Sequence, residues 1–181
     1  MPSHVSQPPR IRSAEASDAE AVLAMMDEIM VWLVSRGRTA QWGTEPWSAQ
    51  PARVDYLHGR IARGDLRVAV GADGGIIGAL SLSQAPGAYV PPTDEPELFI
   101  NFLATSRRAK GRNVGGALLD EARAEARRRG LALIRVDCFA GDDGRLKQWY
   151  ASQGFEEVAP FTVPRAGAPD WPGMLFAMRL R

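Results

Sequence analysis

The sequence predicts an α/β protein in which helices cover both faces of a mixed β-sheet. Short apolar or alternating runs typical of strands are interleaved with longer segments whose apolar residues recur at helical spacing. A strand, a helix and a second strand follow one another between residues 98 and 139, which is the pattern of a parallel βαβ unit. The 181 residues, of which 45% are hydrophobic, suffice for one domain with a sizeable core.

The predicted elements follow the order β-α-α-β-β-β-α-β-α-β-β. Residues 1–9 are polar and proline-rich, so we expect a flexible N-terminal arm there and a single domain over residues 10–181. A short strand is expected over residues 10–14. The stretch Ser17-Asp18-Ala19-Glu20 has the form of a capping box, and the helix that it opens continues at apolar positions until Gly37.

The middle of the chain predicts a short helix, a hairpin and a buried strand. The helix is expected over residues 52–63. Strands over residues 66–70 and 76–82 flank a turn that contains Asp-Gly, which indicates a hairpin. A proline-rich loop over residues 84–97 leads to a strand over residues 98–105 that is apolar on both faces and therefore predicted to be central.

The last third of the chain alternates between helices and strands. Gly130 and Gly154 end its two helices, since glycine is favoured just past a helix C-terminus. The predicted elements are a helix over 114–129, a strand over 132–139, a helix over 143–153 and terminal strands over 155–158 and 174–180.

Composition and charge exclude several classes of function. The net charge of +1 argues against nucleic acid as a partner and against an electrostatic membrane anchor. No apolar run is long enough to span a bilayer, and the N-terminus has no secretory signal. Cys138 is the single cysteine, so no internal disulfide forms and a cytoplasmic location is expected. One cysteine and two histidines are too few for a structural zinc site, and no metal is expected.

The stretch AKGRNVGGALLD, residues 109–120, places glycines at the start of a predicted helix. Glycines there let the backbone reach positive φ and approach a ligand closely. The first N–H groups of a helix have no intrahelical acceptor and, with the helix dipole, form an anion site. Arg107, Arg108, Lys110 and Arg112 add positive charge nearby. The segment predicts a diphosphate cradle, while a plain helix start preceded by solvated basic residues stays open.

Two common phosphate-binding motifs do not match this stretch. The Walker pattern requires GK[ST] at its end, which does not occur here. Gly111, Gly115 and Gly116 have the wrong spacing for GxGxxG, and no acidic residue follows at the dinucleotide position of a doubly wound sheet.

Three separate motifs resemble those of the GNAT superfamily of N-acetyltransferases. Lys110-Gly111-Arg112-Asn113-Val114-Gly115 resembles the family's [Q/R]-x-x-G-x-[G/A], with Leu118-Leu119 at the usual offset. Leu103-Ala104-Thr105 stands where the family has L-A-V, and WYASQGF, residues 149–155, resembles Y-x-x-x-G-F. The resemblance spans the chain from Arg10 to the last strand. It implies a GNAT-like, mostly antiparallel sheet with a central βαβ acetyl-CoA-binding unit.

The resemblance implies direct acetyl transfer from acetyl-CoA to a primary amine of a small acceptor. The backbone of Leu103, Ala104 and Thr105 is expected to pair with the pantetheine arm, and a backbone N–H such as that of Leu103 to form the oxyanion site. The residues expected to bind the cofactor's diphosphate are Lys110, Gly111, Arg112, Asn113, Val114, Gly115 and Gly116.

The chain departs from the family motif at two of these positions. Lys110 replaces Gln or Arg, which keeps the charge without a fork of donors. Asn113 replaces a glycine. Asn tolerates the left-handed region better than other residues with a side chain and is a favoured N-cap, so cofactor binding is expected to persist.

The resemblance also implies catalytic residues. Tyr150 aligns with the tyrosine that serves as general acid near the CoA sulfur; the alternative is a packing tyrosine. Asp143 stands where the family commonly has an Asn that contacts CoA. Some members carry a glutamate base on the central strand, but Phe99 occupies the matching position. Cys138 is interpreted as a small core residue.

Several polar residues are candidates for binding the acceptor. Asn101 lies two residues after Phe99, on the same strand face, and either binds substrate or is a satisfied core amide. Asp94, Glu95 and Glu97 either attract a cationic amine or supply a base, or else form a solvated acidic loop.

The segment QWGTEPW falls between the first two helices, where relatives bind the acceptor. Trp42 and Trp47 are candidates for the pocket wall, with Gln41 and Glu45 supplying polar contacts. Alternatively, the Trp rings cover the core or form a contact within a homodimer.

Three functions remain open from the sequence. The first is a cytoplasmic N-acetyltransferase, the second a non-catalytic acyl-CoA-binding regulatory module, and the third a phosphate-binding module of another fold. The acceptor itself is not predicted, because loops form its pocket and diverge while the fold persists.

Overall fold

The computed structural model describes residues 8–141 and 143–181, so most of the expected arm lies outside the described residues. Within them, no helix is long and apolar enough to cross a membrane. The helices and strands are β1 Arg10–Ser13, α1 Ala19–Ser35, α2 Pro51–Ala62, β2 Leu66–Val70, β3 Ile76–Ser83, β4 Glu97–Thr105, α3 Val114–Arg128, β5 Leu133–Phe139, α4 Arg145–Ser152, β6 Glu156–Val163 and β7 Trp171–Arg179.

The strands form one sheet in the order β1-β2-β3-β4-β5-β7-β6. β4 and β5 pair in parallel, whereas β1–β2, β2–β3, β5–β7 and β6–β7 pair antiparallel. The predicted mixed, mostly antiparallel sheet with a central βαβ unit is thereby confirmed.

The chain forms two compact units, which are described one at a time. Unit 1 comprises the residues up to Val31 together with Glu45–Ser81 and Phe102–Glu121. Unit 2 comprises Trp32–Thr44, Leu82–Asn101 and Ala122–Arg181.

In unit 1 the capping box before the first helix lies earlier in the chain than predicted. A 3-10 turn over Ala16–Asp18 precedes α1. The Asp18 carboxylate accepts the Glu15 N–H at 2.8 Å and binds the Arg12 guanidinium at 2.7 and 2.9 Å. The predicted box at Ser17 was therefore wrong, because the N-cap is Glu15, two residues upstream, and the carboxylate that binds its N–H belongs to Asp18.

The β2–β3 hairpin of unit 1 supports α3. Its turn is closed by Asp73, whose Oδ1 accepts the Gly75 N–H at 3.1 Å. A Cβ added at Gly78 would lie 2.8 Å from Val114 Cγ1 and 3.0 Å from Leu118 Cδ1. Such distances are below van der Waals contact, so glycine at position 78 is what lets the first turns of α3 pack directly on β3.

In unit 2 the parallel ladder between β4 and β5 joins Glu97–Ile100 to Leu133–Val136. β5 also pairs with β7 along its whole length. β6 and β7 are longer than the predicted terminal strands, because they continue through Pro160 and Pro172, where a proline ordinarily indicates the end of a strand.

Helix α4 of unit 2 begins later than predicted. Gly144 precedes it in the left-handed conformation, with φ of 69°. Asp143 therefore lies before the helix rather than within it.

Candidate active site

The turn before α3, in unit 1, has the backbone geometry that its glycines predict. Gly111 has φ of +83° and Asn113 has φ of 51°, in the left-handed region. The Asn113 carbonyl accepts the Ala117 N–H at 3.1 Å, so Asn113 caps the helix through its backbone. Its carboxamide lies over Gly116, where an added Cβ would overlap the Asn113 Oδ1. A side chain at position 116 would therefore displace the Asn113 carboxamide from its present position.

Three backbone donors point out of this turn. Within the described residues, the N–H groups of Val114, Gly115 and Gly116 donate to no protein acceptor. They form the first turn of a helix of 15 residues, whose dipole places partial positive charge at this end. Free donors combined with this charge make a site for a phosphate group.

The basic residues around the turn are not equivalent. Arg108 forms an ion pair with Glu28 at 2.5 Å, and the Arg108 N–H donates to Ser106 Oγ at 3.2 Å. Lys110 and Arg112 are exposed and have no ion pair with a described residue. The positive charge available to a ligand therefore comes from Lys110 and Arg112, whereas Arg108 is already neutralised.

Leu103, Ala104 and Thr105 form the end of β4 in unit 1. Ala104 is buried, and the two flanking residues are partly exposed. They follow a fork, which we define by Ile100 and Val136, the last pair of the parallel ladder. Both strands continue past this pair, β4 to Thr105 and β5 to Phe139. The predicted pantetheine-binding segment therefore begins after parallel pairing has ended.

Tyr150 lies on α4 in unit 2 and is 4% exposed. Its ring contacts Trp149, Phe155 and Phe176, at centroid distances of 4.9, 5.7 and 5.7 Å. Burial raises the pKa of its hydroxyl far above the ordinary value, so the group is protonated at neutral pH. A protonated hydroxyl suits a general acid, and the ring contacts equally suit a packing tyrosine.

Asp143 is held by arginines of its own unit. Its Oδ2 lies 2.7 Å from Arg38 Nη2 and 3.2 Å from Arg145 Nε, and its Oδ1 accepts the Arg145 N–H at 3.2 Å. The Arg145 N–H, with a further contribution from Arg38, lowers the pKa of Asp143. The predicted contact of Asp143 with CoA thus competes with these existing bonds.

Trp47 packs inside unit 1. It is 2% exposed, its ring meets Phe102 edge-on at 5.7 Å, and the Arg53 guanidinium lies 4.7 Å from the ring centroid. These contacts favour the alternative in which Trp47 covers the core.

Gln41 and Trp42 lie in unit 2 and are partly buried. The Gln41 carbonyl accepts from Trp171 Nε1 at 2.9 Å and from Arg165 Nη2 at 3.2 Å. The backbone of Gln41 thereby fixes the loop between the first two helices.

Asn101 is bonded through its carboxamide. Its Oδ1 accepts from Ser83 Oγ at 2.8 Å, and its Nδ2 donates to the Ala85 carbonyl at 3.3 Å. These bonds fit the alternative of a satisfied amide more closely than that of a substrate ligand.

The acidic residues around the start of β4 differ in their exposure. The side chains of Glu97 and Arg135 are each 6% exposed and form a two-point ion pair at 2.5 and 2.7 Å. Glu95 forms a similar pair with Arg179, at 2.6 and 3.0 Å. The expected solvated acidic loop is therefore wrong for Glu97, which is buried against Arg135, whereas Glu95 forms its ion pair at the surface, with its side chain 37% exposed.

Sequence reasoning missed Asp137, a carboxylate in the middle of β5. It is partly buried, and burial raises its pKa to about 6. The sequence did contain a signal for this residue, since Asp137 is an acidic residue inside the mostly apolar run ALIRVDCF. Its neighbour Cys138 is 5% exposed, and burial followed by the charge of Asp137 raises the pKa of the thiol to about 12. Cys138 is accordingly an unreactive core residue.

A family model named Acetyltransferase (GNAT) family matches residues 26–155. This chain belongs to the GNAT acetyltransferase family. The match includes β4, the turn, α3, β5 and α4, which hold most of the residues described above. A search of curated proteins finds no match.

Solved structures share the GNAT fold over nearly the whole chain. A ribosomal-protein-alanine N-acetyltransferase from Brucella melitensis is 22% identical, with a TM-score of 0.69, over 94% of this chain and 99% of that one. A putative acetyltransferase from Salmonella typhimurium, solved with acetyl-CoA, is 17% identical, with a TM-score of 0.68, over 97% and 95%. An agmatine N-acetyltransferase is 16% identical, with a TM-score of 0.68, over 96% and 100%. At these identities the likeness concerns the fold.

Proposed function

We propose that this GNAT protein transfers the acetyl group of acetyl-CoA directly to a primary amine of a small acceptor. The observation that carries the proposal is the turn before α3. There, three N–H groups have no acceptor among the described residues, and the nearby sequence carries Lys110 and Arg112, which form no ion pair with a described residue. Such a site is suited to the diphosphate of CoA.

The roles that the family resemblance implies fall on residues of β4, of the turn before α3 and of α4. In unit 1, Val114, Gly115 and Gly116 donate to the diphosphate, while the backbone of Leu103–Thr105 holds the pantetheine arm. The Leu103 N–H stabilises the negative charge that develops on the thioester oxygen. In unit 2, Tyr150 donates a proton to the leaving CoA thiolate. Bound acetyl-CoA supplies the activated acetyl group, and positioning supplies most of the rate gain.

The fold neighbours support N-acetylation without defining the acceptor. One is named for the alanine of a ribosomal protein and another for agmatine, two chemically different amines. The acceptor of this chain therefore has to be found by assay, because the same fold accommodates unrelated acceptors.

Two measurements test the proposal. Calorimetry should show CoA binding more tightly than ATP or NAD, and CoA thiol should be released during turnover with members of an amine panel. Tighter binding of ATP or NAD would contradict the assignment of the diphosphate site.

The burial of Tyr150 favours a second candidate, a non-catalytic acyl-CoA-binding module. If Tyr150 is the acid, Tyr150→Phe should lower kcat by about 10²-fold or more while the Kd for acetyl-CoA changes little. Equal kcat in the two proteins would assign Tyr150 to packing. Tight CoA binding without turnover of any amine would favour the regulatory module.

A further inference from the structure

Asp137 occupies the first position of β5 beyond the fork. The last parallel pair joins Ile100 to Val136, and Asn101 and Asp137 follow it on the two strands. All four residues belong to unit 2. β5 remains paired with β7 here, with Asp137 opposite Leu175, so Asp137 lies on a strand that is held by β7 after its parallel pairing with β4 has ended.

Asp137 lies opposite Leu175, which belongs to a buried apolar cluster with Val90 and Phe99. Strand alternation places Asp137 on the same face as Arg135 and Phe139. The Arg135 guanidinium is fully engaged, by Glu97 and by the Pro91 carbonyl at 2.8 Å. Asp137 itself has no ion pair with a described residue. Desolvation is accordingly the main cause of its raised pKa.

The other charged groups nearby do not offset this desolvation. Cys138 and Tyr150 are neutral at pH 7 and sense the charge of Asp137. Lys147 on α4 and Glu157 on β6 act on Cys138 and form an ion pair with each other at 3.5 Å. A cation that arrives with a ligand would therefore meet an uncompensated carboxylate.

A row of aromatic rings begins at Phe139, two residues after Asp137 on the same strand face, and ends at the exposed Tyr89. Phe139 lies 5.8 Å from Trp171, Trp171 lies 6.1 Å from Phe161, and Phe161 stacks on Tyr89 at 5.6 Å. Phe139 is buried, whereas Tyr89 is 47% exposed. Aromatic faces bind apolar groups and attract cations, so the row suits the body of an amine whose ammonium reaches the carboxylate.

We propose that Asp137 binds the ammonium group of the acceptor and accepts its proton, while an apolar or aromatic acceptor body lies along Phe139, Trp171 and Phe161. This inference rests on the proposed acetyl transfer and assigns its base and its substrate class. Other carboxylates around the fork are already neutralised, Glu97 by Arg135 and Glu95 by Arg179.

The chemical step conserves atoms and charge. The acceptor ammonium gives one proton to the Asp137 carboxylate, and the free amine nitrogen forms a bond to the acetyl carbon. The carbon–sulfur bond then breaks and the CoA thiolate leaves. The nitrogen loses a second proton as the amide forms, and the thiolate sulfur gains one proton, so the number of protons is conserved. The products are the amide, CoA thiol and a protonated Asp137, which returns its proton to water.

The test compares Asp137→Asn with the wild-type protein, using 2-phenylethylamine and ethylamine as acceptors. Asp170→Asn, which alters an exposed carboxylate of the same unit, is the matched control. We expect Asp137→Asn to lower kcat/KM by about 10² to 10⁴-fold with an unchanged Kd for CoA. The wild-type rate should rise with pH through about 6, as Asp137 ionises, and this limb should vanish in Asp137→Asn. Rates within threefold of wild type would overturn the proposal.

The substrate class has its own readout. Phe161→Leu should lower kcat/KM for 2-phenylethylamine at least tenfold more than for ethylamine, and equal losses would overturn the assignment of the aromatic row. Calorimetry on the CoA-loaded protein should show that 2-phenylethylamine binds more tightly than the neutral 2-phenylethanol, and that Asp137→Asn abolishes the difference. If the wild-type protein binds 2-phenylethylamine more tightly than 2-phenylethanol but does not acetylate it, the proposed acetyl transfer is contradicted, whereas the proposed recognition of the ammonium group is supported. No preference for the amine would overturn the recognition itself.

Discussion

Asn113 combines a left-handed backbone with a side chain that lies over the first turn of α3. A residue with a Cβ in this conformation is less favourable than glycine by roughly 1–2 kcal/mol. The carboxamide also lies against Gly116, one of the three residues whose N–H groups are free. The Asn113 side chain therefore lies next to the proposed diphosphate site, and its backbone conformation costs free energy relative to glycine.

We predict that Asn113→Gly leaves the affinity for CoA unchanged or improves it. Glycine adopts φ of 51° without penalty and removes the carboxamide from the phosphate-binding turn. Calorimetric Kd values for CoA would measure the effect. A large loss of affinity would show that the carboxamide supports the ligand or the turn. Asn113→Ala is the matched control, since it removes the carboxamide but keeps the Cβ in the left-handed region.

Gly116→Ala tests the same contact, between the Asn113 carboxamide and position 116, by changing the other residue. The new methyl group would overlap the Asn113 carboxamide, so we expect weaker CoA binding. In an Asn113→Gly background the overlap is gone, and much of the affinity should return. The double-mutant cycle should give a coupling energy of about 1 kcal/mol, within the range for residues in contact. Additive effects would show that Asn113 and Gly116 do not constrain each other.

The role of a residue could be predicted from the sequence when its partners lie close to it along the chain. The left-handed Asn113 was foreseeable, because it fills a glycine position of a local turn motif. The pairing of Glu97 with Arg135 was not, since the partners are 38 residues apart and only the parallel register of β4 and β5 brings them together. Asp137 was missed because strand alternation identifies a face but not its depth of burial.

Among the helices and strands, the packing of α3 on β3 positions the phosphate-binding turn. Gly78 lies beneath Val114 and Leu118, and a Cβ there would come within 2.8 Å of the first and 3.0 Å of the second. We predict that Gly78→Ala destabilises the protein by about 1–3 kcal/mol, as overpacking does, and weakens CoA binding because the start of α3 is displaced. Urea unfolding and calorimetry would measure the two effects.

Gly75→Ala is the matched control for Gly78→Ala, because it lies in the same hairpin. A Cβ at Gly75 would meet only the Asp73 side chain, at an ordinary distance of 3.4 Å. Its effect on CoA binding should be small. If Gly78→Ala binds CoA as the wild-type protein does, the position of α3 does not depend on this contact.

The order and type of the elements were predictable because each carries its own periodicity. The spans of β2, β3, β4 and α3 agree with the sequence pattern to within a residue or two. The errors lie where pairing overrides local signals. Prolines ordinarily mark strand ends, yet the β6–β7 ladder continues through Pro160 and Pro172, beyond the predicted strands over 155–158 and 174–180.

For the protein as a whole, the ionised Asp137 carboxylate that the proposed activity requires lowers the free energy of unfolding. A carboxyl group whose pKa is about 6 when folded and 3.8 when unfolded binds more protons in the folded state between these values. The free energy of unfolding therefore falls as the pH rises through this window. The full loss is of the order of 3 kcal/mol above pH 6, from 1.36 kcal/mol per unit of pKa.

We predict that Asp137→Asn removes this loss while it removes activity. Below about pH 4 the difference in stability between the wild-type protein and Asp137→Asn should not change with pH, because the wild-type carboxyl is then neutral in both the folded and the unfolded chain. Between about pH 4 and pH 6 the stability of the wild-type protein should fall relative to that of Asp137→Asn, and the difference should then stay constant up to about pH 8. Urea unfolding of both proteins at closely spaced pH values would measure it, with Asp170→Asn expected to follow the wild type. A difference that grows in the opposite direction would show that the ionised carboxylate is stabilised in the fold. Asp137 would then not be an uncompensated carboxylate that binds the cation of an acceptor. Uncompensated charged groups are retained for function at a cost in stability.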